Sequence, residues 1–197
     1  MKKFKTIKII SLLFILNVCI VNGQTKNERE EKVALSEFPT EAQKVITLIP
    51  KACKRIKFLR EIDGKKTSYE AKFKYKKQFY SLEFSKAGII EDIEIKVKPK
   101  HIKAEIKNEI DTYLKQSYLK VNWVKLQRQF VFDTTLDTQS FLDKVFNNSP
   151  SLSSNFELIA EVKTKEKRHL VEFLFGPNGE FISQRIVSPS SYNHVLY

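Results

Sequence analysis

The chain has 197 residues, 35 Lys and Arg against 23 Asp and Glu, and a formal charge of +12, a length that suits one sizeable domain or two small ones. Five glycines, with no glycine-rich loop among them, exclude a phosphate-cradling motif. Two cysteines, of which only Cys53 lies beyond the N-terminal segment, exclude a disulfide-stapled design.

Lys2, Lys3, Lys5 and Lys8 precede an apolar run over residues 9–20, broken by Ser11 and Asn17, and Val21 and Gly23 flank Asn22 before Gln24. A basic start, a short apolar stretch and small or aliphatic residues before a cut form a secretory signal. The run is too short to span a bilayer as a helix, and Val18 sits where a lipid attachment at Cys19 calls for a small residue. Cleavage after Gly23 leaves 174 residues and, because the segment carries four lysines and no acid, lowers the charge to +8.

Residues 24–37 are polar and charge-dense and read as a flexible lead-in. Thr40 and Gln43 have the spacing of a capping box, and Ala42, Val45, Ile46 and Ile49 share one helical face up to Pro50. Asp63 and Gly64 mark a hairpin turn. Tyr69, Ala71, Phe73 and Tyr75 then alternate with Glu70, Lys72 and Lys74; Tyr80, Leu82 and Phe84 with Ser81, Glu83 and Ser85; and Ile93, Ile95 and Val97 with Asp92, Glu94 and Lys96. A period of two with charge at alternate places predicts strands buried on one face, here as an antiparallel meander. After Pro99, Ile102, Ile106, Ile110, Tyr113 and Leu114 form a second helical stripe, and residues 121–132 read as a strand. Residues 134–155 read as an insertion with a short helix around Phe141, Leu142, Val145 and Phe146. Residues 156–162, 170–175 and 180–187 are the last strands, and 188–197 a tail.

One stretch occurs twice: residues 80–90 align without a gap on residues 171–181, placing Phe84 on Phe175, Gly88 on Gly179 and Ile90 on Phe181. The repeat predicts an α+β fold of two tandem modules, each a helix packed on an antiparallel sheet of about four strands: 38–98, then 99–187 with the insertion. Phe38 and Pro39 before the helix, Tyr69 to Phe73, then Tyr80, Leu82, Phe84 and the turn at Gly88, resemble the PepSY-like family of exported bacterial proteins, which is itself similar to the beta-lactamase inhibitor protein. The resemblance implies a secreted or periplasmic module without chemistry of its own that binds, and in related proteins inhibits, other proteins.

No catalytic constellation stands beside that expectation. His101, His169 and His194 lack Cys or carboxylate neighbours at metal-ligand spacing, so neither metal nor cofactor is expected. Asp92 and Glu94 share a strand face, which reads as solvated rather than catalytic. Lys72, Lys74, Lys76 and Lys77 lie beside aromatic residues, but Tyr75 and Tyr80 belong to the buried alternation and acids interleave, which argues against nucleic acid. Weak attraction to anionic envelope surfaces fits the charge, and an envelope structural or polyanion-binding protein is the alternative. The expected partner is another protein. Its platform is the sheet face left open by the helices, with Lys72, Lys74, Glu83, Glu94 and Lys96 in the first module and Trp123, Leu170 and Leu174 in the second, where strands are apolar on both faces and the same residues alternatively form the joint between the two modules.

Overall fold

The computed structural model describes residues 25–192. The expected signal peptide with its cleavage point, Cys19, His194 and the end of the tail lie outside the described residues.

The strands are β1 (Thr25–Lys26), β2 (Glu28–Lys32), β3 (Lys54–Asp63), β4 (Lys66–Tyr75), β5 (Gln78–Ser85), β6 (Ile90–Lys96), β7 (Lys120–Val131), β8 (Asn155–Lys163), β9 (Arg168–Phe175) and β10 (Phe181–Val187). Helix α1 (Thr40–Ile46) precedes β3, α2 (Ala104–Ser117) precedes β7 and α3 (Thr138–Phe146) follows it. One sheet takes in all the strands, in the order β1-β10-β9-β8-β7-β6-β5-β4-β3-β2. Only β1 and β10 run parallel, pairing Thr25 with Ile186 and Lys26 with Val187. β2 pairs with β3 from Glu28↔Asp63 to Lys32↔Leu59. Since Asn27 alone separates β1 from β2, one short stretch touches the last strand on one side and β3 on the other, and the sheet becomes a nearly closed barrel.

The expected pair of helix-on-sheet modules is therefore wrong. β6 pairs with β7 from Asp92↔Val131 to Lys96↔Gln127, so the sheet runs unbroken through the supposed boundary. Helix α3 ignores that boundary too. Its Phe141, Leu142, Val145 and Phe146 pack in one cluster with Phe38, Ala42, Phe73, Leu82, Phe84 and Ile93. A second cluster joins Ile110 and Leu114 of α2 to Leu126, Leu158, Val171, Phe173 and Phe175. The matched stretches do form like hairpins, in which Phe84 pairs with Ile90 as Phe175 does with Phe181 and both phenylalanines are buried. Gly88 (φ +84) and Gly179 (φ +91) both hold a conformation that suits glycine. A Cβ at Gly88 would lie 2.8 Å from Pro39 Cβ, and one at Gly179 2.7 Å from the Ile106 carbonyl oxygen, so each turn sits directly against a helix.

Alternation decides which face of the sheet goes where. The apolar set faces the helices on the outside, and the polar set faces the barrel axis. Register shifts in the β3–β4, β5–β6, β7–β8 and β9–β10 pairings add to the twist, and the accumulated bend closes the sheet on itself. The face expected to be an open platform thus becomes the barrel lining. Residues 24–37, expected as a flexible lead-in, contain β1, β2 and a 3-10 turn (Leu35–Glu37). At one end the interior is apolar, where Ile159, Leu170 and Val187 pack with Tyr192.

Candidate functional site

Inside the barrel is a cavity of about 190 Å³ lined by side chains of β1 to β8 and β10. Ten carboxylates line it, those of Glu28, Glu30, Glu61, Asp63, Glu70, Glu83, Glu91, Asp92, Glu94 and Glu157, against the five cations Lys26, Lys66, Lys72, Lys125 and Arg185. The lining is thus net negative in a chain that is net positive.

The cations are unevenly placed. Lys26 Nζ lies 2.5 Å from Glu172 Oε2 and 2.8 Å from Glu28. Arg185 bridges Glu172 at 2.5 Å and Asp63 at 2.9 Å, tying β10 to β3 across the seam. Burial works against the Glu172 carboxylate, but the two cations outweigh it and hold its pKa low. Lys72 lies 2.6 Å from Glu30 and 3.0 Å from Glu70. Burial disfavours the Lys72 ammonium, yet the two acids raise its pKa overall.

On the opposite wall the balance fails. Glu83 on β5 and Asp92 and Glu94 on β6 bring carboxylate oxygens within 4.8 Å of one another. Among the described residues none of the three, nor Glu157, makes an ion pair. Gln129 Nε2 donates to Asp92 Oδ2 at 2.9 Å, and Gln127 Nε2 donates to Glu94. Asp92 Oδ1 and Gln127 Oε1 are buried with no partner among the described residues. Burial, then repulsion from neighbouring acids, pushes Glu83 and Glu94 well above the usual carboxylate range and Asp92 up to about 7. Burial followed by Glu172 raises Glu157.

At another part of the lining Lys57, Lys72, Lys96 and Lys125 join Arg55, Phe79, Ser81 and Gln127 around a second cavity of about 240 Å³. Burial and then Lys125 lower the pKa of Lys96 there.

Comparison with known proteins finds no family profile and no curated protein that matches the chain. Several solved structures are similar. A Bacteroides eggerthii protein provisionally described as periplasmic has a TM-score of 0.51 and 12% identity, over 80% of this chain and 94% of that one. A DUF2874 family protein of Bacteroides ovatus has a TM-score of 0.48 and 14% identity, over 76% and 87%. A BLIP-like protein of Bacteroides fragilis has a TM-score of 0.46 and 10% identity, over 76% and 86%. The first likeness extends to the fold alone, and the other two are looser. The PepSY-like resemblance gains no match of its own.

The residues singled out from sequence are distributed over several places. Lys72, Glu83 and Glu94 meet in the chamber, and Lys96 borders the second cavity. Lys74 is half-buried, with its ammonium 5.3 Å from the centre of the Phe79 ring. Leu170 belongs to the apolar end of the barrel, and Leu174 pairs with Ser183 and Glu157. Trp123 is on the helix side, half-buried against the second cluster with Lys107 5.4 Å from its ring centre. The register shift between Trp123 and Lys125 reverses the expected parity there. Sequence reasoning missed Glu61, Glu70, Asp92, Gln127, Glu157 and Glu172 as site residues. Their shared signal was visible: each stands opposite the apolar parity of its strand. Only closure of the sheet turns that solvated parity into a lining.

Proposed function

We propose that this chain is an exported binding protein that holds a ligand without transforming it, and that the ligand is cationic and enters the barrel. Export rests on the signal pattern, with Gln24 as the mature N-terminus in the periplasm or outside the cell; N-terminal mass spectrometry of the native protein checks it. The observation that carries the binding reading is the chamber with twice as many carboxylates as cations. Enclosed like charges at low dielectric are stabilised by a bound ion of opposite sign far more than exposed ones are. Protein dialysed against a chelator at pH 7.5 is expected to melt higher with Ca2+, Mg2+ or spermidine than with potassium chloride of equal ionic strength. A ligand at one hundred times its Kd adds about 2.7 kcal/mol, or roughly 5–10 °C for a domain of this size. No rise with any of the three would sink the chamber reading.

A second reading, in which the partner is another protein and the outcome inhibition, draws on the outer surface. Leu119 is 65% exposed and Val124 43%, and both flank the half-buried Trp123. Apolar groups around an aromatic anchor are how such surfaces concentrate binding energy. Trp123→Ala is expected to weaken binding of a partner recovered from the envelope fraction by at least about 1 kcal/mol, with an unchanged circular dichroism spectrum. Loss of the fold instead would make Trp123 a core residue under α2.

A further inference from the structure

We infer that the wall formed by Glu83, Asp92 and Glu94 is a binding site for a single hard divalent cation. This deepens the chamber reading and rests on it.

The chemistry of the donors comes first. Everything these residues offer is oxygen, with no imidazole or thiolate among them. Such a set suits Ca2+ or Mg2+ and disfavours zinc or copper, which take nitrogen and sulfur. Size comes next. Ca2+ binds oxygen at about 2.3–2.6 Å, so ligands on opposite sides of the ion lie about 4.8 Å apart. One oxygen from each of the three carboxylates already falls within 4.8 Å of the others.

A group of acids alone would not be a site, since such groups are common on protein surfaces. Two further observations separate this one. Asp92, only 8% exposed, keeps Oδ1 without a hydrogen-bond partner. Gln127, 5% exposed, donates its amide nitrogen to Glu94 and leaves its own carbonyl oxygen unpartnered. A buried acceptor without a donor costs free energy that a cation recovers. Gln127 and Gln129, reaching across from β7, fix the rotamers of Glu94 and Asp92 in the way that supporting groups orient metal ligands.

The other acidic group in the barrel, Glu28, Glu30 and Glu61, differs in that only Glu61 of its three members is without a cation among the described residues. Lys26 and Lys72 already neutralise Glu28 and Glu30 at 2.8 and 2.6 Å. It therefore serves as the internal control.

The test is calorimetric titration of chelator-dialysed full-length mature protein with CaCl2 at pH 7.5, repeated for Asp92→Asn, Glu94→Gln and Glu28→Gln. One ion per chain is expected. Asp92→Asn and Glu94→Gln are each expected to weaken binding at least about tenfold by removing a charged ligand, while Glu28→Gln leaves it within about twofold. Both amide variants relieve repulsion in the ion-free protein, so their melting curves serve as a check that each is folded. Equal weakening by Glu28→Gln and Asp92→Asn overturns the assignment. A thermal response to spermidine with no heat from CaCl2 also overturns it, and leaves the broader chamber reading intact.

Discussion

Phe84→Ala and Phe175→Ala are each expected to cost about 3–5 kcal/mol of stability, the usual range for emptying a buried phenylalanine site. Both side chains are fully buried. Phe84 meets Phe38 edge-on at 6.1 Å between ring centres, and Phe175 meets Tyr113 at 5.7 Å. They anchor different clusters, one under α1 and α3 and the other under α2. Because one sheet passes beneath both, each substitution is expected to shift the same cooperative transition in denaturant. Two separable transitions, each moved by one variant only, would show that the sheet does not behave as one unit. A loss below about 0.5 kcal/mol at either site, the size of an ordinary surface effect, would contradict the packing described.

The second large effect is expected from pH. Asp92 has its pKa lifted to about 7 from an ordinary 3.8, with burial as the main cause and Glu157 next. An acid whose folded pKa lies above its unfolded value binds more protons when folded. Its contribution to stability is complete below the unfolded pKa and is lost as pH rises through the folded one. Ion-free protein is therefore expected to be more stable near pH 5 than near pH 8, with Asp92 alone supplying at most about 3 kcal/mol of the difference. Glu83, Glu94 and Glu157 are raised as well and act in the same direction. Glu172, held low by Lys26 and Arg185, acts in the opposite sense, but only once pH falls to its unfolded value near 4.5 and below. Urea unfolding of chelated protein at pH 5, 6, 7 and 8 measures the slope, and Asp92→Asn should flatten it. A stability that rises steadily from pH 5 to 8 in the absence of divalent ions would mean that these carboxylates are ionised and comfortable.

Much of the strand pattern was legible. The alternation from Tyr69 to Val97 gives β4, β5 and β6 with their apolar parity, and the stripe from Ile102 to Leu114 matches α2 and its cluster. Curvature was not legible, since side-chain period reports which face a residue takes and says nothing of whether that face later closes. β2 shows why this misled. Its Glu28 and Glu30 look into a polar chamber and its Arg29 and Glu31 look outward, so the strand has no apolar side and resembles a linker. The doubly apolar β9 misled in the other direction. Leu170 was read as a partner surface, whereas it helps fill one end of the barrel with Ile159 and Val187.

The first described strand and the last are neighbours, and this sets the order in which the molecule can be made. The contact between Lys26 and Glu172 joins residues 146 apart in sequence, and the pairing of β1 with β10 waits for the end of the chain. Until then β3 to β6 are free to form hairpins, but their carboxylates still face water and carry no burial cost. Enclosing the acidic face thus needs β10 in place beside β1. Contacts of such long range slow folding.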